Sequence, residues 1–498
     1  MDLLLGLDVG TTATKALAID AKGEKVASAF YNYGLMTPRE DWVEQNPDDL
    51  WQGVIAVTHE VMNQLKPQYH IVALSISSQG GTLIPVDERI LPSYNAISWM
   101  DHRAHKQADE LRDFFGSDRV YEISGWDIYD GLPLLSICWL RQNKPSIFDE
   151  TRYFLFVNDF IIYRLTGKLC MDPSDAGITQ LYNIAEGKWD EGMLDYAGID
   201  LSQLSPVRSS GTAIGAITSE ASMATGLPES IIVVNGAHDQ YCAALGTGVL
   251  NPGDIMLSCG TAWVILGVMD KLRLDPEKLI SISPHIIPDR WGALKSMGAV
   301  GSCMEWFLDN LWEHEGDRTG LYDEMNLHSE QSPSGSKGLI FFPSSGGYGH
   351  GNRGAFIGLS ISHSRGDMAR SIMEGIAFDL RLTIHSIQKS GIECKSFSMV
   401  GGAANSRIWR NIVADITHVP VILPSVTQAA SYGAAMLAGV GSKVFADPMA
   451  ASNALNVSKV VIEADSDNSK KYDDLFDIYC DTYQGIGKNL TKLSEFDY

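Results

Sequence analysis

The sequence predicts an α/β protein built of two domains with related folds, and three observations carry that reading. Its 498 residues exceed one ordinary domain of roughly 100–200 residues. Its apolar share of 45% and charged share of 20% are those of a globular chain, not a disordered one. A pattern of short apolar strands around a Gly-Thr pair occurs twice, at residues 10–11 and at 260–261, which suggests a repeated fold.

Residues 3–8 read as a short apolar strand, 14–20 as an alternating one, and 25–31 as a third after the turn Ala21-Lys22-Gly23. Turns this short join antiparallel strands. Asn46 suits a helix N-cap, Pro47 the first helical position, and Asp48 and Asp49 the positive end of the helix dipole. Leu50, Val54, Val57, Val61 and Leu65 then recur at helical spacing. A strand over 70–77 runs into Ser78-Gln79-Gly80-Gly81. In the second half, strands over 253–258 and 262–268 flank Cys259-Gly260-Thr261. A long helix near 368–388 precedes a strand over 396–400 and the turn Gly401-Gly402. A strand over 420–423 and a small-residue helix from 428 to 440 follow. Residues 311–338, rich in Glu, Asp, Ser and Gly, read as a surface excursion. Tyr472, Leu475, Phe476, Tyr479, Tyr483, Ile486 and Leu490 space out a terminal amphipathic helix. Its polar face is not basic, so it is expected to dock on the body and not on a membrane.

The charge excludes one class of partner. Lys and Arg total 38 against 61 Asp and Glu, a net charge of −23, with no run of basic residues to follow a nucleic-acid backbone. No apolar stretch is long enough to span a bilayer. The 7 cysteines are scattered, none in a Cys-x-x-Cys pair, as expected of reduced thiols in the cytoplasm.

Five segments could carry chemistry. In Asp8-Val9-Gly10-Thr11-Thr12-Ala13-Thr14-Lys15, a strand delivers a carboxylate to its end. Gly10 lets backbone N–H groups approach an anion, Thr11 and Thr12 add hydroxyl donors, and Lys15 adds a cation if strand alternation points it there. Asp8 could hold Mg²⁺. The plainer alternative is a hairpin turn. A Walker loop is excluded, because the Gly-Lys-Ser/Thr ending is absent and a strand follows. The second segment, Ser258-Cys259-Gly260-Thr261-Ala262, repeats this cradle. The third, Gly236-Ala237-His238-Asp239-Gln240, places Asp239 at a strand's C-terminal end, where ligands of α/β sheets bind. There it could take a proton from a hydroxyl, or simply cap a helix. The fourth, Trp99-Met100-Asp101-His102-Arg103 with Gln79 and Gly80 upstream, joins a ring wall to polar groups, as a polyol requires. A surface ion pair of Asp101 with Arg103 is the alternative. The fifth is Gly401-Gly402-Ala403-Ala404-Asn405, where a flat base could lie on the backbone or a plain turn could lead to a helix.

Taken together, the motifs LGLDVGTTATK, WVEQNP, SWMDHRA, NDFIIYRLTG, SDAG, NGAHDQYCAALG, LSCGTAW, GAVGSCMEWF, FFPSSGGYGHGNRGAFIGL and VGGAANSRIWRNIVADI resemble the FGGY family of carbohydrate kinases, within the actin-like ATPase superfamily. The resemblance covers roughly residues 3–440. It implies two ribonuclease-H-like domains hinged about a central cleft. The implied segments are 1–248 on the sugar side, 249–441 on the nucleotide side, and a C-terminal extension over 442–498. The resemblance matches Asp239 to a catalytic base and Asp8 to a first-strand aspartate associated with Mg²⁺. Gly10, Thr11, Thr12, Lys15, Gly260, Thr261, Gly301, Gly402 and Asn405 fall on the ATP side of the match. Gln79, Gly80, Trp99, Asp101, Arg103 and Asp239 fall on the sugar side. ATP and Mg²⁺ are thus implied, with a small sugar or polyol as the other partner. A homodimer is implied by the resemblance alone. One departure stands out: xylulose kinases usually carry Met-His-Gly, and glycerol kinases Arg-Glu, where this chain has Ser78-Gln79-Gly80. Gln79 can both donate and accept. A pentulose-like acceptor is expected, with a hexulose, aldonate or other polyol as alternatives. The reading from another class is an actin- or chaperone-like ATPase driven by a protein partner.

Overall fold

The alternation of the first thirty residues closes into an antiparallel meander. Asp2–Val9 pairs with Ala13–Asp20, which pairs with Lys25–Asn32; Asp8 lies opposite Lys15 and Val9 opposite Thr14. The computed structural model describes residues 1–312, 320–343, 353–455 and 459–494. The helix Pro47–Gln64 follows, and the Asn46 side chain accepts the Asp48 N–H at 3.1 Å. Leu50, Val54, Val57 and Val61 form its buried stripe; Leu65 falls just past its end. A crossover of this length is what a parallel strand requires. His70–Ser78 accordingly pairs parallel with Asp2–Val9, and Ile232–His238 pairs parallel with His70–Ser78. Ala213–Ala216 closes that edge of the six-stranded sheet antiparallel.

The second sheet repeats this plan. Asp254–Cys259 pairs antiparallel with Trp263–Met269 on one side and parallel with Ser396–Gly401 on the other. Ser396–Gly401 pairs parallel with Val421–Pro424, and Lys459–Ile462 closes antiparallel. In both sheets the strand that ends at a Gly-Thr turn stands between a hairpin partner and a parallel neighbour. Asp2–Val9 and Asp254–Cys259 are thus equivalent strands.

Two compact units result, and neither is contiguous in sequence. One comprises residues 1–250, 269–292 and 428–457; the other 251–268, 293–427 and 458–498. The division therefore differs from the contiguous segments 1–248, 249–441 and 442–498. The small-residue helix Ala429–Gly441 belongs to the first unit because glycines let it lie directly on that sheet. A Cβ on Gly6 would sit 1.8 Å from the Ser431 carbonyl oxygen, and one on Gly433 1.9 Å from that of Cys242. In the second unit, Ser466–Ser494 is the expected terminal helix. It docks through buried Tyr472, whose hydroxyl donates to Glu374 at 2.6 Å and accepts from Arg370 at 2.9 Å.

Of residues 311–338, 313–319 lie outside the described residues, and the others are more than a surface excursion. They contain the helix Leu321–Gln331, which buries Leu321, Met325 and Ser329. Residues 344–352 of the FFPSSGGYGHGNRGAFIGL motif lie outside the described residues. Among the described residues no helix is long and apolar enough to cross a membrane. Among the described residues, which include all seven cysteines, there is no disulfide.

Candidate active site

In the first unit three parallel strands bring their C-terminal ends together. Asp8, Ser77 and Ala237 stand in register across them. Asp239 comes two residues after Ala237. The strand runs on to His238, so Asp239 is the first residue of the helix Asp239–Thr247. Its side chain remains 31% exposed, and His238 Nε2 lies 3.4 Å from its Oδ1. Asp8 is buried and takes the Ser77 hydroxyl at 2.9 Å; Lys15 Nζ lies 3.9 Å away. Burial, and then the charge of Asp239, push the Asp8 carboxyl up to about 6, against the lowering effects of Lys15 and Ser77. The charge of Asp239 is thus felt at Asp8.

A third acid lies behind them. Asp175 is buried, accepts the Ser78 hydroxyl at 3.1 Å, and is held well above the usual carboxylate range by burial and then by Asp172. Asp172 accepts the N–H groups of Ser174 and Asp175, and Ser174 Oγ accepts the His238 N–H at 3.0 Å. The short helix Pro173–Gly177 therefore props the strand end that carries Asp239.

The Gly10–Thr12 turn is held from several sides. Tyr33 donates to the Gly10 carbonyl at 2.6 Å, Trp99 Nε1 to Thr11 Oγ1 at 3.1 Å, and Gln45 Nε2 to the Thr11 carbonyl at 2.7 Å. Gln79 Nε2 donates to Gln45 Oε1 at 2.9 Å. Gly80 lies so close to the His238 ring that a Cβ would meet its Cδ2 at 2.3 Å. Gly81, at φ +76°, backs onto Trp99, a residue 38% exposed. Thr11, Gln79, Gly80 and Trp99 are therefore gathered near Asp8 and Asp239.

Asp101 and Arg103 are placed differently. The alternative left open by the sequence is a surface ion pair, yet both side chains are 1% exposed. Arg103 donates to Asp101 through Nε at 2.8 Å and Nη2 at 2.7 Å, and to Glu44 through Nη2 at 2.8 Å. Its guanidinium stacks 3.8 Å from the Trp42 ring centroid and 4.9 Å from that of Trp139. Asp101 also accepts the Val43 N–H at 2.6 Å. Their polar atoms are occupied inside the protein, and they tie the loop bearing Trp99 to the strand bearing Glu44 and Gln45.

In the second unit a cavity of about 470 Å³ gathers Gly260, Thr261, Gly301, Gly402 and Asn405, the five residues expected there. Gly301, in the first turn of the helix Val300–Asn310, packs against the Gly-Thr turn; a Cβ there would sit 2.1 Å from the Gly260 carbonyl oxygen. Gly401 turns at φ +97° against Cys259. The sequence reading missed the other walls: Trp263 and Trp409, whose ring centroids are 5.5 Å apart, and Tyr322, Met325 and Asn326 of the helix Leu321–Gln331. Asn326 accepts from Ser406 at 2.7 Å. The Met325–Asn326 wall could have been sought from the apolar spacing of Leu321 and Met325, which the surrounding acidic residues obscure.

The family description "FGGY family of carbohydrate kinases, N-terminal domain" matches residues 3–246, and its C-terminal counterpart residues 255–442. The chain is 29% identical over 499 residues to a xylulose kinase of Staphylococcus epidermidis, covering 99% of this chain and 98% of that protein. It is 26% identical over 509 residues to a gluconokinase of Bacillus subtilis, covering 99% and 98%. Among solved structures it is similar to ligand-bound xylulose kinase from Lactobacillus acidophilus. The TM-score there is 0.90 at 25% identity, covering 99% of this chain and 100% of that one.

Proposed function

The chain belongs to the FGGY family of carbohydrate kinases, and from that premise we propose that this sugar kinase phosphorylates a hydroxyl of a pentulose-like sugar or polyol, with Asp239 as general base. The observation that carries the proposal is the convergence of two carboxylates, Asp8 and Asp239, at one end of the parallel strands of the first unit. Asp239 heads a helix, remains partly exposed, and can accept the proton of an attacking hydroxyl. Trp99 supplies the ring face and Gln79 the polar contact for the sugar. Asp101 and Arg103 act at one remove, by holding the Trp99 loop. The cavity walled by Gly260, Thr261, Gly301, Gly402 and Asn405 suits ATP, its turn offering backbone N–H groups and a hydroxyl.

Asp8 fits Mg²⁺. The ion keeps most of its waters and needs only one or two carboxylates, so the absence of a three-ligand cluster among the described residues is no obstacle. The buried charge that raises the Asp8 pKa is one that a cation would offset. When bound, the ion would neutralise charge on phosphate oxygens. That no disulfide joins the cysteines among the described residues supports a reducing, cytoplasmic location.

The test is ADP release with Mg-ATP across pentuloses, hexuloses, polyols and aldonates, with mass spectrometry of the products. ADP formed at one rate with and without every sugar would sink the proposal. Two further outcomes are expected. Since burial and the charge of Asp239 push the Asp8 carboxyl up to about 6, turnover should fall as pH drops below about 6, and titration calorimetry should show Mg²⁺ affinity falling with it. Gly301→Ala should raise the KM for ATP by about tenfold or more, because its Cβ meets backbone that cannot yield. An unchanged KM would move the nucleotide elsewhere.

A further inference from the structure

The Gly10–Thr12 turn has its acceptors taken and its donors left over. Tyr33 Oη donates to the Gly10 carbonyl at 2.6 Å, Gln45 Nε2 to the Thr11 carbonyl at 2.7 Å, and the Tyr33 N–H to the Thr12 carbonyl at 2.9 Å. The Ala13 carbonyl takes the Gly10 N–H at 3.0 Å. A peptide is planar and trans, so a carbonyl held on one side sets the N–H of the same peptide on the other. The Thr11 and Thr12 N–H groups share their peptides with the Gly10 and Thr11 carbonyls, and neither has an acceptor among the described residues. An indole N–H can only donate, so the Thr11 hydroxyl accepts from Trp99 and keeps its own proton to give. These donors can be reached: Thr12 is exposed and Thr11 half-buried. Successive free N–H groups of this kind make a cradle for an anion.

Tyr33 brackets the turn, holding one carbonyl through its side chain and another through its backbone. Its hydroxyl accepts from Thr14 Oγ1 at 3.3 Å, which leaves its own proton for Gly10. Burial raises the Tyr33 pKa above the ordinary tyrosine range, so that proton stays in place. The ring is seated against Gly53, where a Cβ would meet Tyr33 Cε1 at 3.1 Å. The equivalent turn at 260–261 has no side chain on its carbonyls among the described residues. A Gly-Thr hairpin therefore folds without such caps, and those on Gly10 and Thr11 call for another reason.

Resting on the sugar-kinase reading, we propose that Tyr33 is a positioning residue for phosphoryl transfer. By pinning the Gly10 carbonyl it keeps the Thr11 N–H offered to the phosphates of Mg-ATP, and Gln45 does the same for the Thr12 N–H. Without the Tyr33 hydroxyl the Gly10 peptide is free to turn, which would withdraw a donor from the phosphates and set a carbonyl oxygen against them. Preorganised donors of this kind are worth most where charge develops in the transition state.

The test compares the full-length parent with Tyr33→Phe and Gln45→Met. Tyr33→Phe keeps the ring and the backbone N–H and removes only the cap on Gly10. Titration calorimetry without sugar should show Mg-ATP bound about tenfold more weakly and AMP within about twofold of the parent, since AMP lacks the outer phosphates. With the best sugar, kcat should fall about 10- to 100-fold while the KM for that sugar and the urea unfolding midpoint hold. Gln45→Met, which frees the next carbonyl, should show the same selective loss of Mg-ATP over AMP. Equal weakening of both nucleotides by Tyr33→Phe, with a lowered midpoint, would make Tyr33 a residue of the fold and overturn the proposal. A Tyr33→Phe enzyme within about twofold of the parent in kcat and in Mg-ATP affinity would also overturn it. The binding comparison needs no sugar. A parent that turns over no sugar would sink the kinase reading, and the contrast between Mg-ATP and AMP would still decide the role of Tyr33.

Discussion

Asp239→Asn is expected to lower turnover by about 10²- to 10⁴-fold, the range for removing a positioned general base, while ATP affinity stays within about twofold. The nucleotide-side cavity is lined only by residues of the second unit, so the substitution does not alter its walls. Turnover near the parent's would sink the assignment of Asp239 as base. The same variant should change stability in a direction set by Asp8. An acid whose folded pKa is raised, here from 3.8 to about 6, contributes stability that is fully present below 3.8 and lost as pH rises through about 6. Asp239 is one cause of that rise. Neutralising it should return part of the loss, about 1 kcal/mol, above pH 6 and nothing near pH 3. Urea unfolding at the two pH values checks it. A variant that loses activity yet gains stability at neutral pH would show that the charge pair is kept for chemistry.

The sequence disclosed what local rules determine. Asn46 and Pro47 announce a helix start because a cap needs only its own neighbours. The Gly-Thr turns at 10–11 and 260–261 announce hairpins because φ/ψ freedom and turn length are local. Asp8 and Asp239 were legible because each follows an apolar run that must be a strand. Contacts across long separations were not legible. Nothing in WVEQNP says that Gln45 spans to Thr11 and Gln79, each 34 residues away. Nor does composition say that helix Ala429–Gly441 packs on Gly6 in the opening strand. Asp101 and Arg103 show the sharpest ambiguity. A carboxylate and a guanidinium two residues apart look the same whether they face a sugar or Trp42 and Trp139. Burial decides between the two, and burial is a property of the whole fold.

That ambiguity yields the second large expectation. Arg103→Ala should destabilise the first unit by about 3–5 kcal/mol, the range for breaking a buried ion pair by removing one partner. Two carboxylates, Asp101 and Glu44, would be left desolvated without their shared cation, and two indole faces would lose the ion stacked on them. Arg103→Lys should recover little, because an ammonium cannot serve Asp101 with a two-pronged fork and Glu44 together. The discriminating variant removes the charges on both sides. Glu44→Gln, Asp101→Asn and Arg103→Met combined should be markedly more stable than Arg103→Ala alone. No buried charge is then left unpaired, and the side-chain amide oxygen introduced at position 101 can still accept the Val43 N–H. Urea unfolding followed by tryptophan fluorescence reads all three. If Arg103 were instead a sugar ligand, Arg103→Ala would keep its unfolding midpoint and raise only the KM for the sugar. That outcome would return Asp101 and Arg103 to the substrate side of the site.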